Sequence, residues 1–584
     1  MNPLRTITPR QARAAAAAFC VAGASFLASV PAFRLGFSAE DSGHIANVAS
    51  DASYVTKGLS GAWYQGETGW GAFYRPVVVA LLAVEQRLWG AGPFGYHFVS
   101  ILLHCANAVL VFALMWTLRR KEPDRLQFAL FSGLLFAVWA RHSESVAFIS
   151  DQTDLLATAG ALTALISFLL WIRSRRVGWV VLTIAAAVIA MLSKENMIVL
   201  PVMIVVIHWY EMRRFPVSTA FAALLLISAY ATMRIILLGH FDKPYVWIAG
   251  DHAVELPAGQ FSVVALFQNG VKGFLSLALP PVVFAIPPFS LIPRCFYRTY
   301  DLLGFALLGS TFVGLLLLFA TGWKKSPEKS APMLLAGLLL FSALPALPLR
   351  YPLFDITEER QLYFSSVFFI PLFVAALTSA CTNARLRTII LTALVVLQVI
   401  ALQWSLRQWT VASRISQNLE SAAASMLREL DSERQKVVFL DIPGMYRSVI
   451  LIGSPRMVLL RSGRWPLRHI APEDVVTGLR WSLDEYPSDR RIVWSDAQGA
   501  LRGRTSDGKP IILGPTWKDS TGVSIPLLYE ARTTFVTFKT FDTFCNYLHR
   551  EVEAAVRPDS VLPTALLTYA NGSFVVLKRI PPSP

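Results

Sequence analysis

The chain has 584 residues, of which 54% are hydrophobic and only 16% are charged. Soluble domains carry about a quarter charged residues, so this composition excludes an ordinary soluble enzyme and a disordered chain, and it indicates a polytopic membrane protein. The formal net charge of +15 then reports membrane orientation rather than nucleic acid binding, because basic residues collect at the cytoplasmic ends of membrane helices.

Apolar segments of about 20 residues, the length that crosses a bilayer, recur along the first 405 residues. About eleven membrane helices are predicted, at residues 14–33, 97–118, 126–141, 154–172, 177–193, 196–210, 216–238, 301–321, 331–349, 363–380 and 387–405. Residues 76–89 and 262–286 are apolar but short or interrupted by charge and proline, so we expect interfacial helices there, on the outer side.

Basic clusters between these segments predict the orientation. When successive helices alternate in direction, clusters such as 119–125 (RRKEPDR), 173–176 (RSRR) and 213–214 all fall on one face. The positive-inside rule assigns that face to the cytoplasm. We therefore expect a multi-pass protein of a bacterial inner membrane with its amino terminus inside and its carboxyl terminus outside. A cleaved signal peptide ending near Ala32 is the alternative for the first segment.

The composition changes near residue 406. Charged residues become frequent, and short β-rich runs occur at 437–442, 448–452, 491–494, 533–541 and 573–580, with helical patterns at 411–435 and 541–556. We predict two domains: a transmembrane domain at 1–405 and a soluble mixed α/β domain at 406–584 on the periplasmic face.

Ionisable residues of the predicted outer loops and helix ends form a mixed-charge set. It comprises Glu40, Asp41, Arg75, His142, Glu144, Asp151, Asp154, Lys194, Glu195, Glu358, Glu359 and Arg360. Ionisable groups near membrane helices are costly and tend to be functional, so we interpret the set as an active site for a lipid-attached substrate. Solvated loop charges and helix caps are the alternative for any single residue.

Several motifs in this set carry a family resemblance. The stretch 37–45 (FSAEDSGHI) resembles the acidic pair in the first outer loop of GT-C glycosyltransferases. The motifs YRP, PFGYH, LHCAN, FAVWARHSESVA, SDQTDLLA, LSKE and ERQLYFSS follow in that order between residues 74 and 366. The ordered set is similar to the transmembrane and tetratricopeptide O-mannosyltransferase family and to protein O-mannosyltransferases, but without the tetratricopeptide repeats. Glu40 replaces a usual aspartate, and Gln152 stands where a Gly-Arg pattern is common.

The resemblance implies a GT-C-like fold and a glycosyltransferase that uses a polyprenyl-phosphate-linked sugar. A phosphate leaving group needs no general acid, so the chemistry asks for a base that deprotonates the acceptor hydroxyl and for cations that stabilise the phosphate. We expect Asp41 to be the base and Glu40 to orient it or bind acceptor, with the reverse order left open. Arg75, Lys194 and Arg360 are the candidate phosphate-binding residues.

A further set is expected to bind the acceptor or to support the site: His44, His142, Glu144, Asp154, Glu195, Glu359 and Tyr363. For Lys194 the alternative is an ion pair with Glu195, and for Arg360 it is neutralisation of Glu358 and Glu359. His97, His104 and Asn107 are expected to form interhelical hydrogen bonds.

We expect no required cofactor and no dedicated metal site, with a divalent ion at His142, Glu144 and Asp154 as the alternative. The acceptor is a hydroxyl of a protein, a lipid or a polysaccharide. A transporter or flippase for lipid-linked glycans, or a non-catalytic membrane scaffold, are the competing functions.

Overall fold

The structure is a computed structural model of the chain. It describes residues 8–61, 73–120, 122–238, 246–249, 252–255, 263–285, 313–321, 324, 330–347, 356, 359–446, 449–451, 455–461, 465–483, 488–497, 500–509, 511–512, 516–518, 524–526, 536–542, 548–556, 559 and 561–582.

Apolar helices dominate the first two thirds of the chain. In chain order the helices are α1 (Pro9–Ser29), α2 (Ala39–Ser50), α3 (Ala52–Ser60), α4 (Pro76–Trp89), α5 (Pro93–Leu118), α6 (Arg125–Ala137), α7 (Ser143–Ala147), α8 (Gln152–Ser174), α9 (Val177–Ser193), α10 (Leu200–Met212), α11 (Val217–Leu238), α12 (Val263–Ala278), α13 (Ser330–Ala343), α14 (Tyr363–Ala380), α15 (Ala384–Leu430) and α16 (Pro455–Leu460).

Seven helical stretches are long and apolar enough to cross a membrane. They are Pro9–Arg34, Pro93–Leu118, Ile149–Ser174, Glu195–Met212, Val217–Leu238, Glu359–Ala380 and Ala384–Leu430, with shorter apolar helices at Arg125–Ala137, Val177–Ser193 and Ala331–Ala346. Each predicted segment overlaps one of these helices, except for 301–321, most of which lies outside the described residues. The polytopic helical class is confirmed, whereas the number of crossings and their sidedness stay predictions.

Small residues let the membrane helices approach closely, as is common where helices pack inside a bilayer. At Gly160 of α8, a Cβ atom would lie 2.9 Å from the backbone oxygen of Ala186 and 3.0 Å from the backbone nitrogen of Ala190, both on α9. These are backbone atoms that cannot move aside independently. Glycine is therefore required for α8 and α9 to pack side by side.

The last membrane helix continues far beyond its apolar part. Helix α15 has 47 residues, which makes it about 70 Å long at 1.5 Å per residue. It includes both the membrane segment predicted at 387–405 and most of the helical pattern predicted at 411–435. The predicted domain boundary at 405 and 406 thus falls inside a continuous helix, and the division into two domains stays a prediction.

All the described strands except β1 and β2 follow α15. The strands are β1 (Val246–Ala249), β2 (His252–Glu255), β3 (Lys436–Tyr446), β4 (Val449–Ile450), β5 (Val475–Leu483), β6 (Ile492–Ala497), β7 (Ala500–Thr505), β8 (Ile511–Ile512), β9 (Thr516–Lys518), β10 (Ser524–Pro526), β11 (Val536–Asp542), β12 (Leu548–Val556), β13 (Thr564–Ala570) and β14 (Ser573–Ile580). One five-stranded sheet has the order β14-β13-β3-β4 with β5 paired to β3, and a second has the order β11-β12-β7-β6 with β8 paired to β12. The predicted α/β character of this region is confirmed.

The helix predicted at 541–556 is wrong in this region, because β12 forms instead. Val552 and Ala554 are buried at 0% and 1% exposure, while the glutamates at 551 and 553 are partly exposed. This alternation has the period of a strand. The Glu- and Ala-rich sequence favours a helix, but pairing with β11 on one side and with β7 and β8 on the other overrides that local preference.

Candidate active site

Asp41 joins helix α2 to the turn that precedes α8. It is the third residue of α2 and is 1% exposed. Its Oδ2 accepts hydrogen bonds from the backbone N–H and the hydroxyl of Ser38, at 3.1 and 2.9 Å. Its Oδ1 accepts from the backbone N–H and the hydroxyl of Ser150, both at 2.7 Å. A further hydrogen-bond donor could reach this carboxylate only by replacing one of these groups, of which the Ser150 hydroxyl is free to rotate.

Glu40 is the second residue of α2, and its side chain lies outside the described residues. The structure therefore locates the backbone of the acidic pair at the start of α2. The pairing of the two carboxylates, and the division of roles between them, stays a prediction.

Two of the predicted phosphate-binding cations form ion pairs with carboxylates of the predicted support set. Arg75 Nε and Nη2 donate to the two Glu195 carboxylate oxygens at 2.9 and 2.5 Å. Lys194 Nζ forms an ion pair with Asp154, and both side chains are nearly inaccessible. Lys194 and Glu195 thus bind different partners rather than each other, because consecutive residues at the start of a helical turn point in different directions.

The third predicted cation, Arg360, binds Glu144. Arg360 donates to this carboxylate from its backbone N–H at 2.9 Å and from Nη1 at 3.3 Å. Glu359 instead pairs with Arg141 at 3.0 Å and accepts a hydrogen bond from the Ser143 hydroxyl at 3.1 Å. The two neighbouring pairs fasten the turn at 141–144 to the start of α14.

These pairs lie in one cluster with Asp41. Asp151 follows Ser150, the residue that holds Asp41, and lies close enough to Lys194 and Arg360 to interact with their charges. From the other side, His44 lies close enough to both Asp41 and Arg75 to interact with them. The structure therefore brings the first outer segment and the three predicted cations to the same place.

His44 contributes an uncharged imidazole to this cluster. Its Nδ1 lies 2.9 Å from the Tyr54 hydroxyl. Burial lowers the pKa of His44 to about 4, against a smaller opposing effect of the Asp41 charge. At neutral pH the ring is therefore a hydrogen-bonding group without charge, which suits contact with a sugar or an acceptor hydroxyl.

The hydroxyl of Tyr363, at the start of α14, belongs to a hydrogen-bond network that includes three other helices, α5, α6 and α8. His104 Nε2 lies 3.1 Å from the carbonyl oxygen of Ala137 and must donate to it, so Nδ1 accepts from the Tyr363 hydroxyl at 2.8 Å. Asn107 Nδ2 donates to that hydroxyl at 3.3 Å and to the Leu155 carbonyl oxygen at 2.9 Å. His104 and Asn107 therefore form the interhelical hydrogen bonds that were predicted, and the Tyr363 hydroxyl is a partner of both.

The alternative divalent-ion ligands bind three separate partners. His142 Nε2 lies 2.8 Å from the Ser366 hydroxyl, while Glu144 and Asp154 bind the cations described above. Within the described ranges no three His, Cys, Asp or Glu side chains are grouped as metal ligands. The expectation that no cofactor is required stays a prediction.

Among the described residues near this cluster, Arg141 and Glu85 are buried and ionisable but were given no role from the sequence. Arg141 lies inside a quoted motif but received no role, although it is 2% exposed and pairs with Glu359. Glu85 lies in the apolar helix α4 at 1% exposure, and Gln152 Nε2 donates to its Oε1 at 2.9 Å. Burial raises the pKa of Glu85 to about 8. A lone glutamate in an otherwise apolar helix was the available signal.

Sequence comparison supports the resemblance that the motifs indicate. The chain is 35% identical over 144 residues to the protein O-mannosyl-transferase Tmtc1 of Drosophila melanogaster, covering 25% of this chain and 15% of the fly protein. It is 35% identical over 143 residues to the human protein O-mannosyl-transferase TMTC4, covering 21% and 19% of the two chains.

The chain is similar to protein O-mannosyl-transferases. The predicted resemblance is confirmed. The matches to the fly protein and to human TMTC4 span 15% and 19% of the length of those relatives. No family model matches the chain.

Two solved structures overlap with the fold at low scores. The Archaeoglobus fulgidus oligosaccharyltransferase has a TM-score of 0.41 and 11% identity, over 76% of this chain and 63% of that one. ArnT from Cupriavidus metallidurans has a TM-score of 0.35 and 16% identity, over 80% and 88%. Both TM-scores are below 0.5, so neither structure adds to the description of the fold.

Proposed function

We propose that this chain is a GT-C-type membrane glycosyltransferase that moves a sugar from a polyprenyl-phosphate donor to a hydroxyl acceptor at the periplasmic face of a bacterial inner membrane. The single observation that carries the proposal is the buried cluster that joins Asp41, through Ser150, to Arg75, Lys194 and Arg360. Similarity to protein O-mannosyl-transferases supports glycosyl transfer as the reaction class.

The cluster contains the groups that this reaction requires. The bond between the anomeric carbon and the phosphate oxygen breaks, and its electron pair stays on the phosphate. The acceptor oxygen forms the new glycosidic bond, and its proton passes to a carboxylate of the Glu40–Asp41 pair. The phosphate gains charge as it leaves, so nearby cations stabilise the transition state more than the ground state.

Arg360 is the cation best exposed for contact with the leaving phosphate. Its side chain is 25% exposed, compared with 12% for Arg75 and 6% for Lys194. Its side-chain contact with Glu144, at 3.3 Å, is also longer than the 2.5 Å contact between Arg75 and Glu195. We therefore assign direct phosphate contact to Arg360, while Lys194 and Arg75 stay in their ion pairs with Asp154 and Glu195.

The test compares Glu40→Gln and Asp41→Asn with the matched control Asp51→Asn. Asp51 is an exposed carboxylate in the same outer segment, where it caps α3. In vitro, purified protein is given polyprenyl-phosphate mannose, glucose or arabinose as donor. In cells, periplasmic glycoproteins and envelope glycolipids are compared by mass spectrometry with and without the chain. We expect the base variant to lose transfer by about 100-fold or more, the scale of general-base catalysis, and the control to retain it.

The two acidic variants also separate base from scaffold. Asp41→Asn removes the negative charge and places an amide NH₂ where five hydrogen-bond donors converge, so we expect it to lower the unfolding temperature as well as transfer. Full transfer by both variants would contradict the proposed mechanism. If cells that lack the chain accumulate lipid-linked glycans inside, and the purified chain transfers no sugar in vitro, the flippase alternative is indicated instead.

A further inference from the structure

Arg234 is a buried cation that differs from the others in the membrane region. Three Lys or Arg residues are buried in the described part of the chain, namely Arg141, Lys194 and Arg234. The first two have carboxylate partners. Within the described ranges, Arg234 has no such partner and donates only to the Tyr230 hydroxyl, at 3.4 Å. A buried cation without a counter-ion is costly unless an anion joins it.

Arg234 lies on the protein-facing stripe of an otherwise lipid-exposed helix. In α11 the buried residues are Ala223, Tyr230 and Arg234, whose spacings of seven and four put them on one helical face. The next residues, Ile235 and Ile236, are 50% and 74% exposed. An arginine that only extends to the lipid headgroups would be exposed like them, whereas Arg234 is 7% exposed and faces the protein.

The stripe faces the candidate active site. Tyr230, the hydrogen-bond partner of Arg234, lies close enough to Glu195 and Arg75 to interact with their charges. The Arg75–Glu195 pair is closed by two hydrogen bonds and is therefore neutral as a unit. Arg234 adds a positive charge one helical turn beyond Tyr230 along α11, four residues before that helix ends.

We infer that Arg234 binds the phosphate of an isoprenoid phosphate, with the hydrocarbon chain lying along the lipid-exposed face of α11. This assignment rests on the proposed function and deepens it by naming a second cation, besides Arg360, that contacts the phosphate of the donor and of the released lipid. The planar guanidinium offers two parallel donors to phosphate oxygens. Large apolar side chains farther along the same helix, such as Phe221 at 61% and Leu225 at 54% exposure, provide a surface for the chain.

The experiment measures binding of decaprenyl phosphate and of uncharged decaprenol to the purified full chain by native mass spectrometry. Arg234→Gln removes the charge, and Arg234→Lys keeps it. Arg173→Gln is the matched control, because Arg173 also sits in a membrane helix but pairs with Glu211 at 2.6 Å. Loss of a charge-assisted phosphate contact weakens binding by about 10-fold or more.

We expect Arg234→Gln to bind decaprenyl phosphate about 10-fold or more weakly than the unmodified chain and to bind decaprenol equally well. We expect Arg234→Lys and the control to bind decaprenyl phosphate with nearly the affinity of the unmodified chain. Equal binding of decaprenyl phosphate by Arg234→Gln and the unmodified chain would overturn the assignment, as would equal loss of decaprenol and decaprenyl phosphate, which indicates a structural role. Competition by millimolar inorganic phosphate or by phosphatidylglycerol at equal strength would also overturn it, because the site would then recognise phosphate without the isoprenoid. If Arg234→Gln does not fold, Arg234→Ala in the Tyr230→Phe background and the lysine variant give the same comparison.

Failure of this assignment is distinguishable from failure of the proposed function. If the unmodified chain binds decaprenyl phosphate through Arg234 but transfers no sugar, the glycosyltransferase proposal falls and the binding site stands. If transfer occurs and Arg234→Gln has unchanged KM and kcat for the donor, only the Arg234 assignment falls.

Discussion

At the scale of single residues, the candidate site is organised by burial. Asp41, Asp154 and Glu359 are each 1–2% exposed, and each has hydrogen-bond donors or a cation within reach. Charged groups persist in an apolar region only when they are paired or hydrogen-bonded. The cluster is therefore preorganised, and replacing one member leaves its partner buried and unpaired.

Glu85 tests how protonation contributes at this scale. Its pKa is raised from 4.5 to about 8, mainly by burial, so the folded state favours the protonated acid. The resulting stability is fully present below pH 4.5 and is lost as pH rises through 8. We expect Glu85→Gln, which resembles the protonated acid, to remove the decline in stability between pH 4.5 and pH 8, and therefore to be more stable than the unmodified chain at pH 7 while keeping its transfer.

The measurement is the unfolding temperature of both proteins in detergent between pH 5 and pH 9. Glu85→Ala is the control, since it removes one of the three acceptors of the Gln152 amide and leaves a cavity, and it should be less stable at every pH. Parallel curves for Glu85→Gln and the unmodified chain would show that this carboxyl has the same pKa in the folded and the unfolded protein, which contradicts the prediction.

At the scale of elements, ion pairs connect short segments that lie between the helices. Arg75 precedes α4 and Glu195 precedes α10, so their bidentate pair joins two elements separated by 120 residues in the chain. Arg141 and Glu359 join the turn before α7 to the start of α14 in the same way. These contacts fix the positions of the segments that precede α4, α7, α10 and α14.

A double-mutant cycle on Arg75 and Glu195 tests this role. Removing one partner of a buried pair costs about 3–5 kcal/mol, because a charge stays buried without compensation. We therefore expect Arg75→Met and Glu195→Gln each to destabilise strongly and the double variant to recover part of the loss. The free energy of unfolding, measured by denaturant titration in detergent, gives the coupling. Additive losses would mean that the two side chains do not depend on each other.

At the scale of the whole molecule, helix α15 carries the C-terminal region to the segment that contains Asp41. Gly36 N–H donates to the Ser413 hydroxyl of α15 at 2.6 Å. Arg461, which follows α16, pairs with Glu420 of α15 at 2.5 Å, and its guanidinium lies 5.3 Å from the ring centroid of Phe37. The region after residue 430 is thus attached directly beside the start of α2.

We expect Arg461→Ala to loosen this attachment and to lower transfer while leaving binding of decaprenyl phosphate unchanged. The physical reason is that Arg461 contacts the acidic segment but none of the proposed phosphate-binding cations. Hydrogen exchange of residues 35–50 checks the loosening, and Arg579→Ala, which removes an exposed ion pair with Glu433, is the matched control. Unchanged exchange at 35–50 would contradict a positioning role for Arg461.

The sequence by itself determined the membrane class, the location of most apolar helices, the change of composition near residue 406 and the residues that gather around Asp41. Each depends on local properties: hydropathy summed over about 20 residues, and motifs that resemble known glycosyltransferases. His104 and Asn107 were also predictable, because polar residues on one face of an apolar helix need partners on neighbouring helices.

Only the tertiary structure decided which acid pairs with which cation, that α15 continues without a break, and that residues 548–556 form a strand. Glu195 follows Lys194 but binds Arg75, and Glu359 precedes Arg360 but binds Arg141. Ion pairing depends on distance in space, and the partners here are separated by up to 218 residues. Local sequence carries no information about such separations, and strand pairing likewise depends on neighbours far along the chain.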